Sequence, residues 1–587
     1  MDLMQNPYGR SRRSLNGRWR CMPDPTLSGV LDYRGAEARR GPWQDRDPRR
    51  DPGLVEYDFD RAWTLRVPGD WNTQRPDLLR YEGALWYRRR FDAVPAPGRR
   101  RFLRFEAANY SARVWLNGAP LGRHEGGFTP FEFEVTGRLK PAGNSLVVLV
   151  DSTRSAGSVP TLQTDWWNYG GLTRDVHLLD CPRTFLLDYG FTLGAGGRIR
   201  GWVRADGPGR AGALVRVRIP GLKADLRVRC GASGRAGFRL DARPQPWSPE
   251  APRLYRAVLG CAGESVEDRI GFRSLRTQGP DILLNGKPVF LRGVSIHEEA
   301  AGPQGGRVTT PAQGRRLLRA ARSLGCNFVR LAHYPHNEPM VREAERLGLM
   351  VWAEVPVYWN IAWGSRATFA NAAAQAEAMV RRDRNRAAVV LWSIGNETPL
   401  SAPRLGFMAA LARRVRRLDP TRLLSAALEQ HGGLRRSVDD PLGRHLDVLG
   451  LNEYVGWYDG GPAKCRRVRF ATSLNRPLVV SEFGGDAKRG LRGPRSRRWT
   501  EEHQAWIYRE QLAMLERVPN WRGASPWILK DFRSPRRWLP GVQDGFNRKG
   551  LLDENLRPKL AFAVLRDYYR SRAAGGAAGR ARRGRRP

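Results

Sequence analysis

Lysine is scarce in this sequence: only 8 of the 100 lysine and arginine residues are lysines. Cysteine is also rare, and its six copies are scattered, with no Cys-x-x-Cys pair and no histidine at zinc-ligand spacing. This pattern argues against a disulfide framework and a zinc cluster, and it is typical of buried thiols in a reducing compartment. We therefore predict neither a metal nor a cofactor.

Long apolar runs are missing as well. No run approaches the roughly 20 residues that a membrane span needs, and residues 1–19 lack the apolar segment of a signal peptide. With 587 residues, 41% of them hydrophobic, the chain can form several globular domains. The sequence thus predicts a cytoplasmic protein with no membrane partner.

A formal net charge of +42 raises the question of nucleic-acid binding. Six arginines lie in the tail, residues 571–587, which has no acidic residue and is predicted to be disordered. The remaining charge is spread evenly, and the sequence has no helix-turn-helix, zinc finger or RNA-binding motif. We predict no specific nucleic-acid partner, although weak attraction to polyanions is expected at low salt.

Three composition regimes precede this tail. Residues 1–182 alternate short aromatic and β-branched runs with turn residues, which predicts an antiparallel β-sandwich. Residues 183–275 form a second all-β stretch with the length of an immunoglobulin-like module. Residues 276–570 alternate apolar strands with amphipathic helices, which predicts a catalytic (β/α)8 TIM barrel. The predicted fold class is therefore multidomain, with two β-sandwiches before the barrel.

Eight apolar runs are predicted as the barrel strands. In order they are VFLRGVSIH (289–297), FVRLAHYP (328–335), MVWAEVPV (350–357), VVLWSIGNE (389–397), LLSAAL (423–428), DVLGLNEY (447–454), LVVSEFGG (478–485) and ASPWILKDF (524–532). Active sites of such barrels lie at the C-terminal ends of the strands. Polar or aromatic side chains stand at these ends: His297, Glu298, His333, Glu354, Asn396, Glu397, Asn452, Tyr454, Glu482, Trp527 and Asp531.

Glu397 and Glu482 are the strongest catalytic candidates on this rim. Each directly follows an apolar run, so each carboxylate is expected at the mouth of the barrel. Two carboxylates that face one cavity can hydrolyse a glycosidic bond, because one protonates the leaving oxygen while the other attacks the anomeric carbon. The alternative is that both are salt-bridged glutamates, given the many arginines.

The sequence resembles glycoside hydrolase family 2, which holds β-galactosidases, β-mannosidases and β-glucuronidases. WLNGAPLGRHEGGFTPFEFEVT (115–136) is similar to its jelly-roll-like, sugar-binding sandwich, and LNGKPVFLRGVSIHEE (284–299) to the start of its barrel. NFVRLAHYPHNEPMVREAERLGLMVWAEVPV and VVLWSIGNET resemble its two most specific barrel segments. The resemblance spans nearly the whole chain and implies retaining hydrolysis of β-glycosides.

The same resemblance implies roles for single residues. Glu397 is expected to be the general acid/base and Glu482 the nucleophile, with carboxyl groups about 5 to 5.5 Å apart. Asn396 is expected to bind the sugar 2-hydroxyl, and Tyr454 to orient or stabilise Glu482. The remaining residues predicted to contact substrate on this rim are His297, His333, Asn452 and Trp527.

Within the family, β-glucuronidases carry Asn-x-Lys-Gly after the eighth strand, and NRKG (547–550) matches this motif. The match implies that Asn547 and Lys549 bind the C6 carboxylate of a uronic acid. TDWWNYGGLTR (164–174) is similar to the loop whose aspartate, here Asp165, binds sugar hydroxyls. Lysine suits carboxylate binding because its ammonium is a compact charge on a flexible stem. The leading prediction is therefore release of terminal β-D-glucuronic acid from a carbohydrate substrate.

Two other functions stay open. The first is a β-galactosidase of the same fold, although the sequence offers no extra carboxylate cluster for the Mg²⁺ that such enzymes often bind. The second is a non-catalytic binder of acidic glycans or nucleic acid, which has no need of paired glutamates. A homo-oligomer is expected only by analogy with the family.

Two segments near the predicted pocket allow more than one interpretation. KDFRSPRRWLPGVQDGF (530–546) brings Arg533, Arg536 and Arg537 close to it, which leaves acidic or sulfated glycans open as ligands. Trp359 and Trp363 either flank the sugar or pack the barrel.

Overall fold

The computed structural model describes residues 3–32, 34–37, 57–94 and 96–583. Contacts divide the chain into two compact units. The first unit comprises Met1–Ser155, Asn168–Gln245 and Leu254–Ile270; the second comprises Ala156–Trp167, Pro246–Arg253 and Gly271–Pro587. The segment Ala156–Trp167 thus belongs to the unit of the predicted barrel, although its neighbours in sequence do not.

The first ten strands form two antiparallel sheets. They are β1 (Arg12–Ser14), β2 (Gly17–Asp24), β3 (Trp63–Val67), β4 (Ala84–Phe91), β5 (Arg99–Phe105), β6 (Ser111–Leu116), β7 (Ala119–Glu125), β8 (Phe131–Glu134), β9 (Asn144–Asp151) and β10 (Val176–Pro182), with a short helix α1 (Trp71–Gln74). The sheet orders are β1-β10-β5-β8 and β3-β2-β4-β9-β6-β7. The β-sandwich predicted for this region is confirmed.

Strand β4 shows how the sequence builds this sandwich. Leu85 and Tyr87 lie in one buried apolar cluster, whereas Ala84 and Trp86 lie in another. Alternate residues of a strand point to opposite faces of its sheet. The six-stranded sheet therefore buries apolar side chains on both faces, which explains the four consecutive apolar residues ALWY (84–87) at the start of β4.

Seven further strands complete the first unit. They are β11 (Phe185–Leu193), β12 (Ile199–Asp206), β13 (Leu214–Ile219), β14 (Ala224–Arg229), β15 (Arg235–Leu240), β16 (Tyr255–Cys261) and β17 (Glu264–Ile270). They pair antiparallel in sheets of order β11-β12-β15 and β14-β13-β16-β17. This arrangement fits the predicted second β-sandwich, while the domain boundaries proposed from sequence stay predictions.

The second unit contains a parallel barrel sheet and short accessory strands. Its strands are β18 (Leu275–Gln278), β19 (Asp281–Leu284), β20 (Lys287–Pro288), β21 (Leu291–Arg292), β22 (Ser295–Ile296), β23 (Phe328–Leu331), β24 (Met350–Glu354), β25 (Val389–Asn396), β26 (Leu423–Leu428), β27 (Arg435–Ser437), β28 (Val448–Asn452), β29 (Arg469–Ala471), β30 (Leu478–Glu482), β31 (Trp521–Ala524), β32 (Phe532–Arg533) and β33 (Phe546–Asn547). The barrel order is β21-β31-β30-β28-β26-β25-β24-β23-β22.

The two short strands β21 and β22 close this barrel. They are consecutive pieces of the first predicted strand; β21 pairs with β31 on one side and β22 with β23 on the other. Every pairing in the sheet is parallel. Eight strand positions therefore form a closed parallel barrel, as the sequence predicts.

Helices connect most of the barrel strands. They are α2 (Pro311–Ser323), α3 (Glu338–Arg346), α4 (Arg366–Asp383), α5 (Ala402–Leu418), α6 (Glu501–Leu515) and α7 (Leu560–Arg583). Helix α2 begins with a capping box between Thr310 and Gln313, which satisfies amide groups that the first turn leaves unpaired. Between residues 429 and 477, all of them described, 3-10 turns at Pro441–His445 and Pro462–Arg466 replace the fifth and sixth helices.

The structure differs from the sequence-based prediction at the eighth strand. We expected that strand at 524–532, but β31 ends at Ala524, so Trp527 and Asp531 lie in the following loop. Pro526 explains the early end because proline has no amide hydrogen for ladder pairing.

The basic tail and the cysteines also bear on the predictions. Helix α7 continues to Arg583, so residues 571–583 are helical where the sequence predicts disorder; alanine and arginine both favour helix. Residues 584–587 of that tail lie outside the described residues. All six cysteines are buried free thiols, as predicted. Among the described residues, no helix combines the length and apolar composition of a membrane crossing.

Candidate active site

Four of the barrel strands end on polar residues. The last residues of β24, β25, β28 and β30 are Glu354, Asn396, Asn452 and Glu482. Because these strands are parallel, their C-terminal ends meet on one rim. Glu397 directly follows β25; its amide donates to the Ala427 carbonyl at 2.9 Å, and its φ of 46° turns the chain sharply at the strand end. The rim predicted from sequence is therefore assembled.

Glu482 is held by one cation and one hydroxyl. Nη1 of Arg330 donates to Glu482 Oε1 at 2.7 Å, and the hydroxyl of Tyr454 donates to Oε2 at 2.7 Å. Nε2 of His333 lies 3.8 Å from Oε1. Both carboxylate oxygens therefore have fixed partners, one of them a buried guanidinium that compensates the negative charge.

Arg330 lies inside the barrel and links Glu482 to the neighbouring strand ends. Its Nη2 donates to Glu354 Oε1 at 3.0 Å and to Asn396 Oδ1 at 2.7 Å. His333 Nδ1 lies 2.8 Å from the same Glu354 oxygen. Burial alone would raise the pKa of Glu354, but the charges and hydrogen bonds of Arg330 and His333 together lower that pKa to about 2. Glu354 therefore stays ionised and fixes Arg330.

Glu397 has neutral partners. Nε1 of Trp359 donates to Glu397 Oε2 at 2.9 Å, and Nδ2 of Asn452 donates to Oε1 at 2.9 Å. Among the described residues, no cation forms an ion pair with Glu397. Burial, followed by the charge of Glu482, raises the pKa of Glu397 to about 7. This carboxyl group can therefore gain and lose a proton near neutral pH.

Asn452 joins the surroundings of the two glutamates. Its Oδ1 accepts from the hydroxyl of Ser481 at 2.7 Å, next to Glu482, while its Nδ2 contacts both Asn396 and Glu397. The two carboxyl groups therefore belong to one hydrogen-bonded network rather than to separate salt bridges.

His297 and Trp527 lie in an aromatic cluster beside this network. The His297 ring packs edge-on to Trp527 with 5.1 Å between centroids, and His333 stacks on Trp527 at 4.7 Å. Trp166, from the Ala156–Trp167 segment, lies 5.4 Å from His333 and 4.8 Å from Tyr358. Burial, with nearby positive charges, lowers the pKa of His297 well below its usual value, so this imidazole is neutral.

Lys549 is buried and already has two partners. Its Nζ lies 2.8 Å from Asp486 Oδ2 and donates to the hydroxyl of Tyr458 at 2.7 Å. The same Nζ lies 5.6 Å from the ring centroid of Tyr454, which contacts Glu482. Burial alone would lower the pKa of Lys549, but Asp486, together with Tyr458 and Asp165, raises it, so the ammonium stays charged.

Asn547 and Asp165 contact each other. Nδ2 of Asn547 donates to Asp165 Oδ2 at 2.8 Å. Arg537 binds Asp165 with two hydrogen bonds, Nε to Oδ1 at 3.0 Å and Nη2 to Oδ2 at 2.8 Å. Burial would raise the pKa of Asp165, but the Arg537 charge lowers it. Asp165 is therefore an ionised group between the barrel and the loop that follows its last strand.

Asp531 contacts the NRKG segment and the residues around it. It accepts from the amide of Gly550 at 3.0 Å, from Lys559 Nζ at 2.7 Å and from Arg548 Nη1 at 3.1 Å. A Cβ at Gly550 would lie 2.1 Å from the Asp531 amide nitrogen, so only glycine fits there. The motif glycine therefore fixes the loop that carries Asn547 and Lys549.

The structure brings all eleven predicted site residues into one region, where they also contact residues that were not predicted from the sequence. Arg330 had a signal, a charged residue inside the apolar run FVRL. Asp486 and Tyr458 had none, because their relation to Lys549 depends on loops that meet only in the folded barrel. Trp359, for which two interpretations were open, contacts Glu397 directly.

Comparisons with known proteins identify the family of the chain. The family model described as "Glycosyl hydrolases family 2, TIM barrel domain" matches residues 275–571, and the family's "sugar binding domain" model matches residues 12–182. The chain is 27% identical to the β-glucuronidase of Rattus norvegicus over 572 residues, which cover 86% of this chain and 84% of the relative.

Solved structures give the same result. A family 2 β-galacturonidase from Eisenbergiella tayi, bound to glycerol, shares 26% identity at a TM-score of 0.79 and covers 97% of this chain and 98% of its own. Bifidobacterium dentium β-glucuronidase, complexed with coumarin-3-O-glucuronide, shares 25% identity at a TM-score of 0.82, with the same coverage. Because the barrel model alone matches half of the chain, this protein belongs to glycosyl hydrolases family 2 and is a glycosidase.

Proposed function

We propose that this protein is a retaining exo-glycosidase that releases terminal β-D-glucuronic acid, with Glu482 as nucleophile and Glu397 as general acid/base. One observation carries the proposal: the Lys549 ammonium lies 5.6 Å from the ring of Tyr454, whose hydroxyl donates to Glu482. A cation suited to a sugar carboxylate therefore stands beside the carboxylate suited to attack the anomeric carbon.

In the first step, an oxygen of Glu482 attacks the anomeric carbon while protonated Glu397 transfers its proton to the leaving oxygen. The glycosidic bond breaks, and the products are a glycosyl ester of Glu482 and the free alcohol. A pKa of about 7 keeps a large fraction of Glu397 protonated near neutral pH. Tyr454 and Arg330 hold the two oxygens of Glu482 in place for this attack.

In the second step, ionised Glu397 takes a proton from water, and the water oxygen attacks the anomeric carbon. The ester bond breaks, Glu482 regains its negative charge, and the sugar leaves with its original configuration. The pKa of Glu397 falls once the charge of Glu482 is lost in the ester. The same residue therefore serves first as acid and then as base.

Hydrogen-bond counting supports carboxylate recognition by Lys549 and Asn547. An ammonium has three N–H donors, and Asp486 and Tyr458 account for two of those of Lys549. The Asn547 amide has two, one of which reaches Asp165. Counted over the described residues, each side chain thus has one donor left for an oxygen of the C6 carboxylate.

A β-galacturonidase is the second candidate, because the Eisenbergiella tayi neighbour has that activity. Galacturonic and glucuronic acids differ only in configuration at C4, so carboxylate recognition does not separate them. The β-galactosidase and non-catalytic alternatives receive less support, since the first does not use Lys549 and the second does not use the network of Glu397 and Glu482. A cytoplasmic location and a homo-oligomer stay predictions.

The test compares three substrates with one leaving group: 4-nitrophenyl β-D-glucuronide, β-D-galacturonide and β-D-galactoside. We expect the highest kcat/KM for the glucuronide and the lowest for the galactoside, which has no carboxylate. A higher kcat/KM for the galacturonide would show that the preferred sugar is galacturonic acid, and the proposed mechanism would stay unchanged. Equal or higher activity on the galactoside would contradict carboxylate recognition, and no turnover of any substrate would contradict the whole proposal.

A further inference from the structure

Trp359 carries two contacts that connect the candidate acid to a cation. Its Nε1 donates to Glu397 Oε2, and its ring lies 4.8 Å from the guanidinium carbon of Arg536. The backbone amide of Trp359 donates to the Asn396 carbonyl at 3.0 Å, which fixes the ring beside the end of β25. The Trp359 side chain therefore contacts both Glu397 and Arg536 and fixes the position of one relative to the other.

The charge of Arg536 is not compensated by a carboxylate among the described residues. Its guanidinium donates from Nη1 to the neutral amide oxygen of Gln163 at 3.2 Å, and its side chain is exposed. Two other arginines of this region differ: Arg537 is paired with Asp165, and Arg548 with Asp531 and Glu554. Arg536 thus keeps free N–H donors and a full positive charge at the surface of the site.

The two oxygens of Glu397 show which part of a substrate would meet this charge. Oε1 faces Asn452 and, through it, the side of Glu482; Oε2 faces Trp359. In a retaining mechanism the nucleophile attacks the face of the anomeric carbon opposite the leaving oxygen, and the acid protonates that oxygen. The leaving group therefore departs past Glu397 on the side of Trp359 and Arg536.

From this geometry we infer that Arg536 is a specificity-determining residue that binds an anionic group, a carboxylate or a sulfate, on the leaving-group side of the scissile bond. The inference rests on the proposed function and adds to it the class of substrate: acidic on both sides of the bond, as in an acidic oligosaccharide or an acidic aryl conjugate. A planar guanidinium with free donors matches the paired oxygens of such a group. Its stacking on Trp359 keeps it in position without neutralising it.

The experiment measures kcat/KM for aryl β-D-glucuronides whose phenols have matched pKa values. One phenol is neutral, one carries a carboxylate and one a sulfonate, and the last two separate a preference for carboxylate from one for sulfate-type groups. For the wild type we expect kcat/KM for the anionic phenols to exceed that for the neutral phenol by about three- to tenfold. This factor is smaller than a buried charged hydrogen bond would give, because Arg536 is exposed. Salt should reduce this ratio.

Arg536→Gln should lower the ratio to about one, while activity on the neutral glucuronide changes less than about twofold. The matched control is Arg533→Gln, in the same loop, whose guanidinium donates to the carbonyls of Gln304 and Pro303. Both variants lose one positive charge, so an effect of net charge alone would appear in both. We expect the control to keep the wild-type ratio.

An unchanged ratio in Arg536→Gln, or the same loss in Arg533→Gln, would overturn the role of Arg536. Either result leaves the proposed function intact, since that function depends on wild-type turnover of the neutral glucuronide. If the wild type turns over a galacturonide instead, the same ratio is measured with that sugar. Wild-type inactivity on every aryl glycoside would overturn both proposals.

Discussion

The surroundings of Glu482 and Glu397 differ in the kind of partner that each carboxyl group has. Glu482 contacts the buried guanidinium of Arg330 and the hydroxyl of Tyr454. Within the part of the chain that the structure describes, the partners of Glu397 are the neutral N–H donors of Trp359 and Asn452, and Glu397 lies within the field of Glu482. One carboxylate is compensated by a cation, whereas the other is left to titrate near neutral pH.

This difference separates the two chemical roles. A nucleophile must be ionised when substrate binds, and a nearby guanidinium favours that form. A general acid must be protonated at the working pH, which burial, the absence of a cation and a neighbouring anion favour together. The environment thus distinguishes two side chains of identical chemistry, and substitutions that change one part of it should affect the two roles differently.

The largest effect is expected at Glu482. Glu482→Gly removes the attacking carboxylate, so kcat/KM for the glucuronide should fall by at least about 10⁴-fold. Azide should restore turnover by attacking the anomeric carbon directly, and NMR should show the inverted, α-linked glucuronyl azide. A retained, β-linked azide product would contradict the role of Glu482 as nucleophile.

Glu397→Gly should cost about 10² to 10⁴-fold, because it removes one proton-transfer group. The loss should be greater for an alkyl than for a 4-nitrophenyl glucuronide, since a poor leaving group needs the proton more. Here azide should give the retained, β-linked product, the opposite of the Glu482→Gly result. The same loss for both leaving groups would exclude Glu397 as the acid.

Lys549→Gln should lower kcat/KM for the glucuronide by about 10- to 100-fold, the contribution of one charged hydrogen bond. Activity on the matching β-galactoside should fall far less, so the ratio of the two is the measurement. Lys488→Gln serves as control: it removes a partly exposed lysine whose Nζ donates to the Gly541 carbonyl at 2.7 Å and lies 3.6 Å from Asp544. If the ratio of kcat/KM for the glucuronide to that for the galactoside is unchanged in Lys549→Gln, Lys549 does not bind the sugar carboxylate.

The buried partner of Lys549 requires one further control. Lys549→Gln leaves Asp486 as a buried, uncompensated carboxylate, which can destabilise the protein by about 3 to 5 kcal/mol. The double variant with Asp486→Asn removes both charges and should recover thermal stability but not the glucuronide preference. Recovery of the preference as well would show that Asp486, rather than Lys549, controls specificity.

The smallest effect is expected at Trp359. The first step needs protonated Glu397, so kcat/KM should fall as pH rises through about 7. The Trp359 hydrogen bond stabilises the ionised carboxylate and so lowers its pKa. Trp359→Phe should therefore move this alkaline limb to higher pH, with a loss of no more than about tenfold in kcat/KM at neutral pH. A shift to lower pH would contradict the assignment.

Most of the fold could be predicted from the sequence because barrel strands and their connecting helices are locally encoded. The predicted LLSAAL strand coincides with β26, and the runs around Glu354, Asn396 and Glu482 contain the observed strand ends. Only the eighth strand was misplaced, since ASPWILKDF is apolar like a strand but contains Pro526.

The candidate site was only partly predictable. Glu397 and Glu482 follow apolar runs, so periodicity locates them; the roles of Asn547 and Lys549 needed the family motif. The pairing of Lys549 with Asp486, and of Asp165 with Arg537, joins segments distant in sequence. No local pattern encodes such pairs, because they depend on how three loops close over one barrel rim.

Trapping the glycosyl ester tests directly whether Glu482 is the nucleophile. A 2-deoxy-2-fluoro-β-D-glucuronyl fluoride reacts in the first step but slows the second, because the fluorine at C2 destabilises the oxocarbenium-like transition state. Mass spectrometry of the digested protein should show one added 2-fluoroglucuronyl group, on the peptide and side chain of Glu482. A label on Glu397 would contradict the assignment of Glu482 as nucleophile. Turnover of this fluoride without inactivation and without a labelled peptide would contradict it as well.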